Sequence, residues 1–534
     1  MRVDFHWQAY KYLPYERTLA RRELVALLGR EPISRPGGLS IETPIQWEKP
    51  AYRVTYFCEA IAEDGKRIVP LQTTLEASVN GKGQHRLIDK STVLRRQSTR
   101  YSAHGLHEYR GKFNPQIVRA IGNMLGLKQG DWVLDPFCGS GTTLLEAAHI
   151  GWNAIGVDLN PLGVQIARAK ITAMRIPLEQ LCKQSEILKQ RLIKRFRDIS
   201  FDSPFTSRWL KIIGAPDWKN RLPSFDYLRV WFTESVLVQL AAVLDEIAHL
   251  PSGEAQLILR VILSDILRQV SLQDPADLRI RRRKSPPENA PVIPLYLDSL
   301  TNKIENILKA RKYINNIRTI QDALFGDVRT CASAVRAHPR VRSMRHFHAA
   351  ITSPPYATAL PYIDTQRLSL VLLGLISADE IRATERTLIG NREITTRERL
   401  KIEHDIEKNS ANLPTGCLAL CRKLKNAVNK NRDGFRRQNV PVLIYKYCTD
   451  MSSMFKQVYQ LLTKDAPFAL VVGRNKTRLG DRHFIIDTPY LLASLAEANG
   501  FEVQETLKLD TYQRYDVHQT NSIRSETLAI LRRR

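Results

Sequence analysis

A short apolar strand that runs into a glycine turn and then a helix constrains this chain most. Val133-Leu134-Asp135 leads into Pro136-Phe137-Cys138-Gly139-Ser140-Gly141-Thr142-Thr143, and Leu144 to Ala148 open a helix. Glycines let the backbone approach a ligand closely, and the first turn of a helix offers N–H groups without intrahelical partners. A second strand follows, Asn153 to Val157, and ends in Asp158. An acid in that place can bind a ribose diol. The pattern predicts an open α/β sheet with a ligand across the carboxyl ends of its strands. A nicotinamide dinucleotide fold shares the layout, but the third glycine of its fingerprint is absent and Asp-Pro-Phe precedes the turn.

Far downstream, the apolar run Phe347 to Ile351 reads as another buried strand, followed by Thr352-Ser353-Pro354-Pro355-Tyr356. Two prolines remove two N–H donors and leave carbonyls able to accept hydrogen bonds. With a hydroxyl before them and an aromatic ring after them, such a loop can grip a planar ring bearing an exocyclic amine. A Pro-Pro pair after a strand is also a common simple turn.

Taken together, these residues resemble the S-adenosylmethionine-dependent DNA amino-methyltransferases, which methylate exocyclic amines of bases. The resemblance covers about residues 100–175 and 320–534. It implies S-adenosyl-L-methionine as cofactor, duplex DNA as partner and a flipped target base. Ser353, Pro354, Pro355 and Tyr356 match the family's catalytic motif. Asp135, Pro136, Phe137, Gly139, Gly141, Thr142 and Asp158 match its cofactor motif. His104 to Pro115 resembles its first cofactor-contacting segment, in which Lys112, Phe113 and Pro115 would pack beside the methionine end. Asp327, in Phe325-Gly326-Asp327, either accepts from the cofactor's adenine amine or belongs to a simple Gly-Asp turn. In this family an acid or Asn before Pro-Pro usually accompanies adenine N6 methylation, and Ser is commoner among cytosine N4 enzymes. Asn521 to Glu526 also resembles a C-terminal segment of the N4 type. The preferred reading is therefore site-specific cytosine-N4 methylation of DNA. Adenine-N6 methylation, tRNA guanine-N2 methylation and a catalytically silent DNA-binding protein stay open, as does a restriction or defence-system partner.

Composition agrees with a nucleic-acid enzyme. Among 534 residues, 80 Lys and Arg face 54 Asp and Glu, a formal net charge of +26, which draws polyanions at long range. No apolar run reaches transmembrane length, and Met1 to Tyr15 has no signal-peptide core, so a cytoplasmic protein without a membrane partner is expected. The seven cysteines show no paired metal spacing. Cys417 and Cys421, one helical turn apart, read as core residues, and no metal is expected.

Four stretches follow from the pattern. Residues 1–95 suggest a small α+β extension of unassigned role, with a helix from Glu16 to Leu28, β-rich runs at Tyr52 to Cys58 and Arg67 to Thr74, and a linker at Pro32 to Gly38. Residues 96–175 form the cofactor half. Residues 176–320 read as a helical insert and candidate target-recognition region, with helices at Leu178 to Phe196, Tyr227 to Leu250 and Ala255 to Val270. Within it, Arg281, Arg282, Arg283 and Lys284 belong to a basic loop expected to contact phosphates, though such a run is also an ordinary solvated face. A second basic stretch, Arg422 to Arg437 with Phe435 among its cations, either tracks a phosphate backbone or is an exposed helix. Residues 321–534 form the catalytic half, with a strand at Phe468 to Gly473 and a closing pair at Phe501 to Lys508 and Thr527 to Leu531. The expected fold is α/β, a Rossmann-like methyltransferase fold: a mostly parallel sheet with a C-terminal antiparallel hairpin, a helical insert and a small N-terminal extension.

Overall fold

A computed structural model describes the chain except residues 44–45, 80–96, 202–204, 207–208, 212–216, 275–280, 286, 288, 315–316, 343–345, 358–362 and 511–524. Asn521 to Arg524 and part of the basic loop around residue 280 thus lie outside the described residues.

The centre is a seven-stranded sheet. Its strands are β6 (Trp132–Asp135), β7 (Asn153–Asp158), β8 (Gln321–Phe325), β9 (Ala349–Thr352), β10 (Pro467–Gly473), β13 (Phe501–Asp510) and β14 (Ser525–Arg533), in spatial order β13-β14-β10-β9-β6-β7-β8. The pairs β6–β7, β7–β8, β6–β9 and β9–β10 are parallel, whereas β14 runs antiparallel to both β10 and β13. This is the expected Rossmann-like methyltransferase fold with its closing hairpin. The middle strands can be continuously apolar because both faces are covered: Val133, Leu134, Ala154, Ile155 and Ala349 to Ile351 are all buried completely. The strand order reverses between the parallel neighbours β6 and β9, with later strands added on opposite sides of them, so their carboxyl ends open a crevice at a topological switch point. The two motifs sit at those two ends.

The helical stretch contains Leu178–Phe196, as expected, but Tyr227 to Leu250 is two helices, Phe225–Trp231 and Glu234–Ala248. Phe232 and Thr233 are extended and break the run, because Thr233 supplies the non-helical start that the next helix needs. Gly253–Val270 and Val292–Arg311 complete the layer. Asp265 fastens it to the cofactor half: it accepts the Glu108 N–H at 2.6 Å and pairs with Lys303.

The first 79 residues form an antiparallel sheet of β1 (Arg2–Trp7), β2 (Ile33–Arg35), β3 (Gly38–Glu42), β4 (Phe57–Ala62) and β5 (Arg67–Ile68), ordered β2-β3-β1-β4-β5. The helix Pro14–Leu28 matches expectation, and its Arg22 pairs with Glu505 on β13 at 2.5 Å. Three expectations fail here. Pro32 to Gly38 is no linker, because Pro36 and Gly37 (φ +81°) turn the β2–β3 hairpin. Tyr52 to Cys58 straddles the end of a helix, Glu48–Arg53, and the start of β4. Arg67 to Thr74 stops as a strand after two residues at Pro70, and Leu71–Val79 becomes a helix with Leu71 and Leu75 buried one turn apart.

The final ribbon, β11 (Asn475–Leu479) with β12 (Arg482–Ile486), leaves the sheet directly after β10.

Candidate active site

The turn after β6 is held from below and from the side. Gly139 donates its N–H to Asp158 Oδ2 at 2.7 Å, Asn160 donates to Asp158 Oδ1 at 2.8 Å, and Cys138 donates to the Val157 carbonyl at 3.1 Å. Gly139 and Gly141 both have positive φ, +47° and +74°. A Cβ at Gly141 would lie 2.6 Å from Ala167 Cβ, and one at Gly139 would lie 3.3 Å from the Tyr109 ring. Burial raises the Asp158 carboxyl, partly offset by the N–H groups it accepts. Cys138 packs against Gly156, and burial pushes its thiol well above the usual range, so it is a filler rather than a nucleophile.

Asp135 is a brace. It accepts from Thr352 Oγ1 at 2.6 Å and from the Phe137 N–H at 3.1 Å, tying the ends of β6 and β9 together. Burial pushes its carboxyl up to about 6, against the pull of these donors. The loop after β9 is braced as well. Tyr447 donates its hydroxyl to the Pro355 carbonyl at 3.0 Å, and Tyr356 donates its own to Glu526 on β14. Gly390 (φ +77°) passes so close that a Cβ there would meet the Tyr356 carbonyl at 2.8 Å. Burial raises the Glu526 carboxyl, and the Tyr356 hydroxyl lowers it in part.

One cleft of about 330 Å³ joins the two motifs. Lys112, Phe113, Pro136, Phe137, Gly139, Asp158, Asp327, Ser353, Pro354, Pro355 and Tyr356 line it. Asp135, Gly141, Thr142 and Pro115 do not. Asp135 is only 2% exposed beneath the cleft, Gly141 and Thr142 shape the turn, and Pro115 begins a helix capped by Asn114. Those four stand behind the cleft lining. Lys112 lines the wall, yet its ammonium donates to the Thr99 and His104 carbonyls at 2.6 and 3.4 Å, and burial pushes it down to about 7. Asp327 is gripped by Arg329 through bonds of 2.6 to 3.0 Å, and Arg329 also reaches Asp450 at 3.1 Å. Burial pulls the Asp327 carboxyl up, but Arg329 outweighs it and holds it below the usual range.

Tyr109, Asn160 and Glu526 also line the cleft; the sequence placed Tyr109 and Glu526 only within longer matching segments, without a role, and left Asn160 out. Asn160-Pro161 carries a helix-start signal that could have flagged Asn160. Glu526 reaches the cleft only because β14 pairs with β10, setting it opposite Gly473.

The basic loop fares differently from expectation. Arg283 donates to the carbonyls of Gln273, Arg268 and Gln269 at 2.9, 2.7 and 2.6 Å, closing the end of the helix Gly253–Val270. Arg282 donates to Val230 O at 2.5 Å and stacks over Trp231. Both guanidinium groups thus hold backbone carbonyls; Arg283 is half-buried, whereas Arg281, Arg282 and Lys284 are exposed. Deep in the cofactor half, His104, Glu146 and His149 converge closely enough for a metal ion. Glu146 there pairs with buried Arg119 at 2.7 Å and holds its charge despite burial, so the cluster reads as a buried ion-paired core. Cys417 and Cys421 are buried, as expected. Among the described residues no helix is long and apolar enough to cross a membrane.

Residues 80–169 match a DNA methylase family model that is named for both N6 and N4 enzymes. The type II methyltransferase M.BsoBI of Geobacillus stearothermophilus is 23% identical over 439 residues, covering 78% of this chain and 83% of that protein. M.MjaII of Methanocaldococcus jannaschii is 24% identical over 350 residues, covering 52% and 63%. A tRNA (guanine(10)-N2)-dimethyltransferase of Methanothermobacter thermautotrophicus is 42% identical, but over 52 residues covering 10% and 16%. These matches support a DNA amino-methyltransferase relationship for the chain.

Proposed function

We propose that this chain is a site-specific DNA methyltransferase that transfers a methyl group from S-adenosyl-L-methionine to the N4 amine of cytosine. The observation that carries this reading is the single cleft that unites the Gly139–Asp158 turn with Ser353 to Tyr356. The glycine turn and Asp158 fit the cofactor: the turn leaves no side chain in its way, and the Asp158 carboxylate suits a ribose diol. The cofactor supplies an electrophilic methyl group.

The chain's own residues then have three tasks. The N4 lone pair of cytosine is delocalised into the ring, so the amine is a poor nucleophile. Ser353 Oγ and the Pro354 carbonyl would accept its hydrogens, localise the lone pair and stabilise the positive charge that develops on nitrogen. The braces at Asp135–Thr352 and Tyr447–Pro355 hold these acceptors rigidly, which is how a site gains rate from orientation. Tyr356, steadied by Glu526, would stack on a base flipped out of the duplex. Direct transfer needs no enzyme nucleophile, in keeping with the inert Cys138 thiol. Ser353 in place of an acid favours N4 over adenine N6, and the short extent of the tRNA-enzyme match favours DNA over RNA. Relatives named type II methyltransferases make a restriction enzyme a reasonable companion, acting in the cytoplasm.

The test is incubation with tritiated S-adenosylmethionine and mixed-sequence duplex DNA, digestion to nucleosides and identification of the labelled one. Label in N4-methylcytosine is expected. Label in N6-methyladenine overturns the base assignment, and label confined to RNA overturns the substrate.

A further inference from the structure

The second basic stretch, which the reading above leaves without a role, lies beside the catalytic loop. Residues 422–437 pack against the β11–β12 ribbon. Buried Asp433 accepts the N–H groups of Asn429 and Gly480 at 2.9 and 2.8 Å, clamping the basic segment to the ribbon's turn. Lys423 lies over the Phe484 ring on β12, and Arg432 pairs with Asp481. The ribbon is fastened in turn to the active site. It leaves β10 at Gly473, which pairs in register with Glu526, and Asn475 donates its side-chain amide to the carbonyl of Ala357, the residue after Tyr356.

Strand alternation then decides what the ribbon presents. Phe484 and Ile486 turn inward and are buried, while Lys476, Arg478, His483 and Ile485 are exposed. Lys476 stands opposite Ile485 and Arg478 opposite His483, so these four residues share one face. Beside them Lys430, Arg436 and Arg437 are exposed, with Phe435 61% exposed among them. Among the described residues no carboxylate pairs with Lys430, Arg436, Arg437, Lys476 or Arg482. Asp481 serves both Arg432 and, at 3.8 Å, Arg478, so the face keeps a cationic excess that a polyanion would neutralise.

We propose that the outer face of the β11–β12 ribbon, with residues 430–437, is the surface on which duplex DNA docks. This rests on the reading of the chain as a DNA methyltransferase. A two-stranded ribbon has the width to enter a major groove, and cations on both of its flanks suit the phosphates that border it. The ribbon's attachment at Ala357 sets the docked duplex beside the cleft that must receive the flipped base. The helical stretch has a weaker claim, because its Arg282 and Arg283 are bound to backbone carbonyls.

The test is fluorescence anisotropy of a labelled mixed-sequence duplex with the full chain, from about 50 to 200 mM KCl. Replacing Lys476→Ala and Arg478→Ala together should weaken binding on the order of 50-fold and reduce the slope of log affinity against log salt by about two. Lys476→Arg with Arg478→Lys should restore both, since the contact is one of charge. Cofactor binding, measured in the same preparations, should not change. Should the double alanine variant lose cofactor binding as well, Arg436→Ala with Arg437→Ala reads the same slope on the neighbouring segment. Wild-type slope and affinity in these variants would overturn the docking surface while leaving the methyltransferase reading intact. A wild-type chain that binds structured RNA but not duplex DNA would overturn both.

Discussion

The bond between Tyr356 and Glu526 joins the catalytic loop to the last strand, and removing its hydroxyl isolates what that junction does. In Tyr356→Phe the ring remains able to stack, but the half-buried Glu526 carboxyl loses its donor. Losing one hydrogen bond to a partly buried carboxyl costs about 1–2 kcal/mol, and about 1.4 kcal/mol is tenfold in rate. We therefore expect kcat/KM for DNA to fall about tenfold, with cofactor Kd within about twofold of wild type, because Tyr356 follows β9 whereas Asp158 ends β7, with β6 between them. Tyr356→Ala also removes the stacking ring, worth a further ~1–3 kcal/mol, and should cost another tenfold or more. The decisive assay is a double-mutant cycle of Tyr356→Phe and Glu526→Ala, with methyl transfer and cofactor titration measured on each protein. If Glu526 acts through Tyr356, the double variant should be little worse than the worse single one, with a coupling of about 1 kcal/mol or more. Losses that simply multiply, or a Phe variant with wild-type turnover, would refute the positioning role.

Three further outcomes are expected. Asp158→Asn weakens two bonds to a charged acceptor and the predicted ribose contact, so cofactor affinity by calorimetry should fall about 30-fold while duplex affinity holds. Gly141→Ala combines a left-handed φ with a Cβ 2.6 Å from Ala167 and should destabilise by more than ~3 kcal/mol in urea unfolding; Gly130→Ala, at φ +89° in open space, should cost only ~1 kcal/mol. Glu76 is buried, and burial pushes its carboxyl from 4.5 up to about 7, against bonds from Gln116 and Gln72. The folded state thus holds this proton more tightly than the unfolded chain, and stability present below pH 4.5 is lost as pH rises through about 7. Glu76→Gln should abolish that loss, gaining on the order of 3 kcal/mol at pH 8 relative to its effect near pH 4.5. Parallel pH profiles for the two proteins would contradict it.

Much of the sheet was legible because its parallel strands are buried on both faces and read as unbroken apolar runs. The N-terminal runs at Tyr52 and Arg67 were misread for a related reason: short apolar stretches do not distinguish strand from helix, and Pro70 and Ala51 decide only once packed. Within the site, the residues that touch the cleft were mostly legible, but their division of labour was not. Asp135 and Lys112 carry the right chemistry in the right motif, yet one braces two strands and the other caps carbonyls.

By itself, the sequence determined the strand–turn–helix units, the left-handed glycines and the residue types at both strand ends, because these follow from local backbone sterics and hydrophobic period. Only the tertiary structure decided what those ends meet. The adjacency of β6 and β9 makes one cleft from two distant motifs, and the β10–β14 pairing brings Glu526 to Tyr356. The β11–β12 ribbon joins the basic stretch that the sequence offered to a second cationic strand pair and fastens both to Ala357, beside Tyr356. Such contacts depend on strand order and long-range register, which local sequence preferences do not encode.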